Sequence, residues 1–189
     1  ETEWMIVAAA RLLKRKIRRK GYKRILAGIG MSNLSAWLAA YDLKREGVEV
    51  SLVAETGFVG YNPRPADPFI FNHANIPTCT MITDVFSALG TMACGANNRC
   101  IGALGAAQID TAGNINSTLI PKKAYLTGPG GANDVLACAE ETLLVVPQGK
   151  NRLVEKVPYI SGVGKRVRTL VTTMGIFEKP DGADRFILT

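Results

Sequence analysis

Apolar residues in the first third of the chain switch repeatedly between helical and extended spacing. Residues 2–17 carry them at intervals of three to four, which predicts a helix, and residues 24–27 form a short apolar strand. A glycine turn follows, and a second helix is predicted over 32–46, ended by Gly47. The run 48–54 is short, apolar and β-branched, as in a buried strand. Strand, turn, helix and strand in this order predict a βαβ unit.

The later segments continue this alternation of strands and helices. Strands are predicted at 76–81, 100–104 and 143–146, and helices after Asp84 and from Ala132. Further segments are β-rich, namely 153–160, 168–173, 175–178 and 185–188. Alternating strands and helices favour an α/β fold, in which a largely parallel sheet carries helices on both faces. Residues 1–189 are predicted to form one domain.

The buried strand 48–54 ends at a carboxylate, Glu55, and the turn signal Thr56-Gly57 follows at once. Open α/β sheets bind ligands beyond the carboxyl ends of their strands, so this position favours a functional glutamate. A glutamate at the rim of a sheet can instead be solvated or cap a helix, and this stretch alone leaves both interpretations open.

Two glycine turns lie between predicted strands and helices. Gly28-Ile29-Gly30 lacks the third glycine of a dinucleotide-binding fingerprint and is interpreted as a tight turn. The turn 128–131 opens a helix, where outward N–H groups and a close approach of the backbone suit an oxyanion. A tight loop that needs positive φ is the alternative interpretation.

The positive charge of the chain is one local patch. The net charge is +7, but residues 14–24 hold eight Lys and Arg residues and no acid. The rest of the chain has 15 basic and 16 acidic residues. Because the interleaved aromatic residues of a single-strand binder do not surround the patch, no nucleic-acid partner is expected. The patch is interpreted as a solvated helix face or as a site for an anion such as a nucleotide phosphate.

Cysteine and histidine content argues against a metal site. The four cysteines have no C-x-x-C spacing, and His73 is the single histidine, so the paired ligands of structural zinc are missing. No apolar run reaches the ~18 residues of a membrane helix, and the N-terminal charges lie on the wrong side for a signal peptide. We expect a cytoplasmic protein with free thiols, no metal and no membrane contact.

A set of motifs resembles the β subunits of the family I CoA-transferases, those of glutaconate CoA-transferase in particular. The motifs occur in the family's order along nearly the whole chain, and the polar block after Gly105 is the most specific. They are Gly28-Ile29-Gly30-Met31-Ser32-Asn33-Leu34, Glu55-Thr56-Gly57, Gly105-Ala106-Ala107-Gln108-Ile109-Asp110 with Gly113-Asn114-Ile115-Asn116-Ser117-Thr118, and Gly128-Pro129-Gly130-Gly131-Ala132-Asn133.

The resemblance implies a three-layer α/β/α subunit that assembles with a homologous α subunit and needs no metal or organic cofactor. Glu55 stands at the position of the family's nucleophilic glutamate, which carries CoA as a thioester between an acyl-CoA and a carboxylic acid. Gly130, Gly131 and Ala132 match the family's oxyanion turn. Asn33 is a candidate for positioning substrate, and so is Gln108, unless Gln108 only ties its own loop together.

The reaction and the extent of the chain stay open at this point. In the proline-rich loop 61–68, residues 63–68 can wall the site against water, which suits transfer of CoA from a dicarboxylic or short-chain acyl-CoA to a carboxylate acceptor. It can instead admit water, or place Arg64 on a distal carboxylate, as a hydrolase or decarboxylase on the same fold would require. An anion-binding regulatory domain is the non-enzymatic alternative. Because the family's β subunit continues beyond the position of Thr189, a C-terminal segment is expected to be missing.

Overall fold

A nine-stranded sheet forms the centre of the protein in a computed structural model, which describes residues 1–63 and 69–189. In chain order the strands are β1 (Arg24–Ala27), β2 (Ser51–Val53), β3 (Phe58–Val59), β4 (Met81–Ile82), β5 (Cys100–Leu104), β6 (Gln108–Ile109), β7 (Ile115–Asn116), β8 (Leu119–Ile120), β9 (Ala124–Tyr125), β10 (Glu141–Val145), β11 (Val167–Val171), β12 (Ile176–Glu178) and β13 (Ile187–Leu188). The sheet has the order β13-β12-β11-β10-β5-β1-β2-β3-β4, and its central strands from β11 to β2 are parallel. Antiparallel strands extend both edges, and β6–β7 and β8–β9 form separate hairpins.

Helices cover both faces of the sheet. The helices α1 (Thr2–Lys20) and α2 (Met31–Arg45) pack on one face, and α3 (Ala132–Cys138) packs on the other beside a π-helical segment, Phe86–Ala93. Side chains alternate between two apolar cores: Leu143 and Val145 of β10 face α1 and α2, whereas Leu144 faces α3. The predicted three-layer α/β/α arrangement with a largely parallel sheet is confirmed. None of the described helices is both long enough and apolar enough to cross a membrane.

The strand order creates a crevice at one end of the sheet. β1 lies between β2 and β5, so the connection through α2 leads to one side of β1 and the later chain returns to the other side. Ligands bind at such a switch point, outside the carboxyl ends of the strands. Gly28, Glu55 and Gly105 lie just beyond the carboxyl ends of these three strands. The fold therefore gathers three of the motifs found in the sequence at one edge.

Some predicted elements have a different structure. Residues 76–81 were expected to form a strand, but His73–Thr78 is a 3₁₀-helix and only β4 is extended, since Pro77 cannot donate to a strand ladder. The segment 153–160 forms no strand either, and Leu153 makes only an isolated bridge with Ile109. The short strands β3 and β6 to β9 were not predicted, because a pair of residues carries little periodic signal.

The basic stretch 14–24 is held by intramolecular ion pairs, which neither interpretation of it anticipated. Lys14 pairs with Asp42 at 3.1 Å and with Glu46 at 3.2 Å, both on or just after α2. Further basic side chains of α1 pair with acids elsewhere in the fold: Arg15 with Glu178, Arg18 with Glu46, and Lys16 and Lys20 with Glu141. The stretch therefore fixes α1 to α2 and to the sheet.

Glu141, at the amino end of β10, is the centre of this network. Its side chain is 1% exposed and accepts contacts of 2.5 Å from both Lys16 and Lys20, while the Tyr22 hydroxyl donates to it at 3.0 Å. Burial alone would raise the pKa of Glu141, but the hydrogen bonds from the two lysines outweigh burial and lower it. Burial of the Tyr22 hydroxyl group, together with the charge of Glu141, raises the pKa of Tyr22.

We expect Glu141→Ala to destabilise the fold by about 3–5 kcal/mol, because it leaves two lysines beside a buried site without their counter-charge. The free energy of unfolding, measured in urea at pH 7, checks this value. Glu178→Ala is the matched control: it breaks the exposed pair with Arg15, which should cost no more than about 1 kcal/mol. Equal losses in the two variants would contradict the prediction.

The same network predicts a pH dependence. Because the folded protein lowers the pKa of Glu141 below its ordinary value of 4.5, the ion pairs stabilise the fold above that pH. Their contribution is lost as the pH falls through the lowered pKa. The difference in unfolding free energy between the wild type and Glu141→Gln should therefore shrink in acid. A difference that is constant from pH 7 into the acid range would contradict this interpretation.

Candidate active site

A tight turn after β2 presents Glu55. The N–H of Ala54 donates to the carbonyl of Phe58 at 2.9 Å. The N–H of Gly57 donates to the carbonyl of Ala54, also at 2.9 Å. Gly57 has φ of 95°, and a side chain there would place its Cβ 1.8 Å from the carbonyl oxygen of Thr83. The N–H of Thr83 in turn donates to Gly57 at 2.9 Å. The turn is thus clamped against the residue that follows β4, and only glycine fits at its centre.

The glycine turn before α3 meets the Glu55 carboxylate directly. The N–H of Gly131 donates to Glu55 Oε2 at 2.6 Å, a short charge-assisted hydrogen bond. A Cβ on Gly131 would lie 2.5 Å from the same oxygen, and a Cβ on Gly130 would lie 3.1 Å from Oε1. Gly130 also has φ of 54°. The turn therefore needs positive φ, as one interpretation holds, and it also brings a backbone donor to a carboxylate; binding of an oxyanion stays a prediction.

The other proposed site residues have different surroundings. Ala132 is the first residue of α3, and its N–H donates to the carbonyl of Pro129 at 3.2 Å, within the turn. Asn33 is fully buried in the first turn of α2, at the same edge of the sheet as Glu55. The hydrogen bond that the described structure gives Glu55 comes from Gly131. The role of Asn33 in positioning substrate and the role of Ala132 in an oxyanion turn stay predictions.

Gln108 is tied into its own loop. Its Nε2 donates to the carbonyl of Asn151 at 3.0 Å, and its Oε1 accepts a hydrogen bond from Asn116 Nδ2 at 2.9 Å. Asn116 Oδ1 also accepts from the N–H groups of Thr118 and Leu119. These contacts show how Gln108 can tie its loop to Asn151 and Asn116, and its role in positioning substrate stays a prediction.

The rest of the polar block after Gly105 is also used internally. Asp110 is buried, and its Oδ1 accepts from the N–H groups of Ala112 at 3.1 Å and Asn114 at 2.9 Å. Asn114 Oδ1 accepts from the N–H of Gly164 at 2.9 Å. Lys179 lies beneath this loop and donates to the carbonyls of Ala112 and Gly164. The polar block after Gly105, the most specific motif of the sequence, thus holds its own loop in place through hydrogen bonds.

Leu89, in the π-helical segment, borders the site and was not singled out from the sequence. Its Cδ2 and Cδ1 lie 2.9 and 3.0 Å from the point that a Cβ of Gly131 would occupy. Glu55 Oε2 lies 2.5 Å from the same point. The sequence shows only a leucine in a predicted helix, and α-helical spacing does not locate a side chain in a π-helix.

The first residues of the proline-rich loop are anchored to the fold. Tyr61 is buried, which raises its pKa to about 12. The Tyr41 hydroxyl donates to the carbonyl of Pro63 at 2.6 Å, and Lys44 donates to Asn62 at 3.0 Å. The predicted roles of Arg64 and of the remainder of the loop, 64–68, fall outside the described residues.

Two of the four thiols are poor candidates for the nucleophile. All four cysteines are free, and burial is the main cause that raises the pKa of Cys94 and of Cys100 to about 12. A thiol with such a pKa holds almost no thiolate at neutral pH. Across the described ranges, no three side chains of His, Cys, Asp or Glu cluster as metal ligands would.

Comparison with known proteins identifies the family of this chain. Residues 25–181 match the coenzyme A transferase family. The chain belongs to this family. Its matched region runs from β1 to the residues just after β12 and includes the Glu55 turn, the polar block and the glycine turn before α3.

Individual relatives of this CoA-transferase family chain cover most of its length. One subunit of the 3-oxoadipate CoA-transferase of Pseudomonas knackmussii is 29% identical over 206 positions, which cover 99% of the chain and 75% of that protein. The solved glutaconate CoA-transferase of Acidaminococcus fermentans superposes with a TM-score of 0.80 at 23% identity, covering 100% of the chain and 77% of that one. The decarboxylase AibA/AibB gives 0.75 at 18% identity, covering 99% and 76%. These two structural likenesses show a shared fold.

We expect Gly57→Ala to destabilise the protein by clearly more than a comparable substitution at another positive-φ glycine. Its methyl group would overlap the carbonyl of Thr83, whereas Gly47 has φ of 72° and open space around it. Gly47→Ala, which adds only backbone strain, should cost about 1–2 kcal/mol. Urea unfolding of both variants measures the difference. If both lose the same stability, the turn is not clamped as described.

Proposed function

We propose that this chain is the CoA-transferase subunit that carries the nucleophile, and that Glu55 moves CoA between an acyl-CoA and a carboxylate. The contact between Glu55 Oε2 and the N–H of Gly131 carries the proposal. It holds the carboxylate at the carboxyl edge of a parallel sheet, on the motif that the family resemblance assigns to the nucleophile. Family membership supports the reaction class.

The first step is attack on the thioester. Gly131 holds Oε2, so Oε1 is the oxygen that attacks the acyl carbonyl carbon of the bound acyl-CoA. The C–S bond then breaks, CoA leaves as a thiolate, and Glu55 becomes one half of an acyl anhydride. Covalent catalysis of this kind divides one difficult exchange into easier steps.

The second step makes the Glu55 side chain the electrophile. The CoA thiolate attacks Cδ of Glu55, and negative charge develops on the carbonyl oxygen of that carbon, Oε2. The N–H of Gly131 already points at this atom. The bond from Cδ to the bridging oxygen breaks, so the first acid leaves with Oε1 and Glu55 retains CoA as a thioester. A preorganised donor of this kind is typically worth about 3 kcal/mol.

The return steps use the same contact. The carboxylate of the acceptor acid attacks Cδ of the thioester, charge again develops on Oε2, and the CoA thiolate is expelled. The thiolate then attacks the acyl carbon of the acceptor, and the Glu55 carboxylate is restored with an oxygen from the acceptor. Oε2 keeps its hydrogen bond from Gly131 throughout, while the other oxygen is exchanged in each cycle.

The substrates and partner follow from the relatives by analogy. The related chain of Pseudomonas knackmussii is named for 3-oxoadipate, and the related structure is named for glutaconate. We propose a dicarboxylic or short-chain acyl-CoA as the CoA donor and a carboxylic acid as acceptor, with no metal or organic cofactor. Since the first relative is named as one subunit of its enzyme, we also propose that a homologous α subunit completes the enzyme in the cytoplasm.

The first experiment is to trap the covalent intermediate. The chain, purified with its partner subunit, is exposed briefly to 3-oxoadipyl-CoA, glutaconyl-CoA or acetyl-CoA and then to borohydride, which reduces a thioester. Peptide mass spectrometry should locate the reduced side chain at Glu55, and Glu55→Gln should remain unmodified and lose exchange. Steady release of free CoA without acceptor and without any modification of Glu55 would instead favour a hydrolase or decarboxylase.

We expect Gly131→Ala to slow CoA exchange about 10²- to 10³-fold, because the added methyl group displaces Oε2 from its backbone donor. Exchange kinetics at saturating donor and acceptor measure this loss. Gly90→Ala is the matched control, since Gly90 lies in the π-helical segment and a Cβ there meets open space. If Gly131→Ala exchanges CoA as fast as the control, the N–H of Gly131 does not stabilise the charge on Oε2 as proposed.

A further inference from the structure

An apolar side chain adjoins the glycine that donates to the Glu55 carboxylate. The methyl groups of Leu89 and the Oε2 atom of Glu55 lie within 3.0 Å of one point, the position a Cβ of Gly131 would take. Leu89 is half-buried and packs against the core between the sheet and α3. The Leu89 methyl groups and the Glu55 carboxylate therefore both adjoin Gly131.

The π-helical segment fixes this side chain. The N–H of Cys94 donates to the carbonyl of Leu89 at 2.8 Å, a step of five residues that widens the helix. Ala88 and Ala93 are completely buried against the core, and Asp84 accepts a hydrogen bond from the N–H of Ser87 at 2.8 Å. The helix is thus anchored at both ends of the turn that presents Leu89.

The chemistry of the proposed function gives an apolar group at this place a purpose. The anhydride and the glutamyl thioester are both electrophilic, and water can attack the acyl carbon of the first or Cδ of the second. Attack by water on the thioester adds oxygen to Cδ, breaks the C–S bond and releases free CoA with the Glu55 carboxylate restored. The net result is hydrolysis of the acyl-CoA. A surface that excludes water from such intermediates suppresses these side reactions.

We propose that Leu89 is a positioning residue that keeps water from the Glu55 intermediates and so sets the ratio of CoA transfer to hydrolysis. This inference rests on the proposed function. Leu89 does not react with substrate. It occupies the space beside the Gly131 donor that a water molecule would need in order to approach Glu55 from the side of the π-helical segment.

The test measures two rates on the chain purified with its partner subunit. Acetyl-CoA, glutaconyl-CoA and 3-oxoadipyl-CoA serve as donors, free thiol release without acceptor gives hydrolysis, and new acyl-CoA with acceptor gives transfer. We expect Leu89→Ala and the similarly sized but polar Leu89→Asn to raise the ratio of hydrolysis to transfer roughly tenfold or more. Leu89→Met, which keeps an apolar side chain, should restore the wild-type ratio.

Met92→Ala is the matched control, because Met92 lies in the same segment and packs on the same core. Its ratio should stay at the wild-type value even if its stability falls. An unchanged ratio in Leu89→Asn, or an equal rise in Met92→Ala, would overturn the inference while leaving the proposed function intact. Failure of the wild type to form a borohydride-sensitive Glu55 adduct would overturn the proposed function itself.

Discussion

The hydrogen bond from the Gly131 N–H to Glu55 is the contact on which the rest of the site depends. Its partners are 76 residues apart in the chain. One follows the second strand of the βαβ unit on one side of β1, and the other opens a helix on the opposite face from α2. To bring them within 2.6 Å, the sheet, the antiparallel pair β3 and β4, and the α3 layer must all be correctly placed.

Glycine is required at this contact for reasons of space. At Gly131 a methyl group would collide with the carboxylate itself, and at Gly57 it would collide with the backbone after β4. The polar loop between β5 and α3 is held by hydrogen bonds: the buried carboxylate of Asp110, within the loop, and the amine of Lys179, just after β12, satisfy loop backbone groups. A long irregular segment can then lie against the sheet without leaving buried backbone groups unpaired.

The features that the sequence predicts correctly are those set by local pattern. The strand that ends at Glu55 and the turn that ends at Gly131 can be recognised because apolar runs and glycines mark them within a few residues. Leu89 could not be assigned to the site, since its position depends on a π-helical step. The pairing of Lys20 with Glu141 could not be predicted either, because these residues are 121 positions apart. A charge pattern shows which residues are basic but not which acidic residues they will contact.

Two glutamates at opposite ends of the sheet show why only one of them suits nucleophilic chemistry. Glu141, at the amino ends of the strands, is buried, and both of its oxygens are held by lysine ammonium groups. Both carboxylate oxygens are therefore already paired with cations, and the burial of the side chain keeps substrate away from it. Glu55, at the carboxyl ends, is half-exposed and accepts from the neutral N–H of Gly131, which orients one oxygen without a full opposing charge. A glutamate therefore stabilises the fold at one end of the sheet and, in the function that we propose, attacks a thioester at the other.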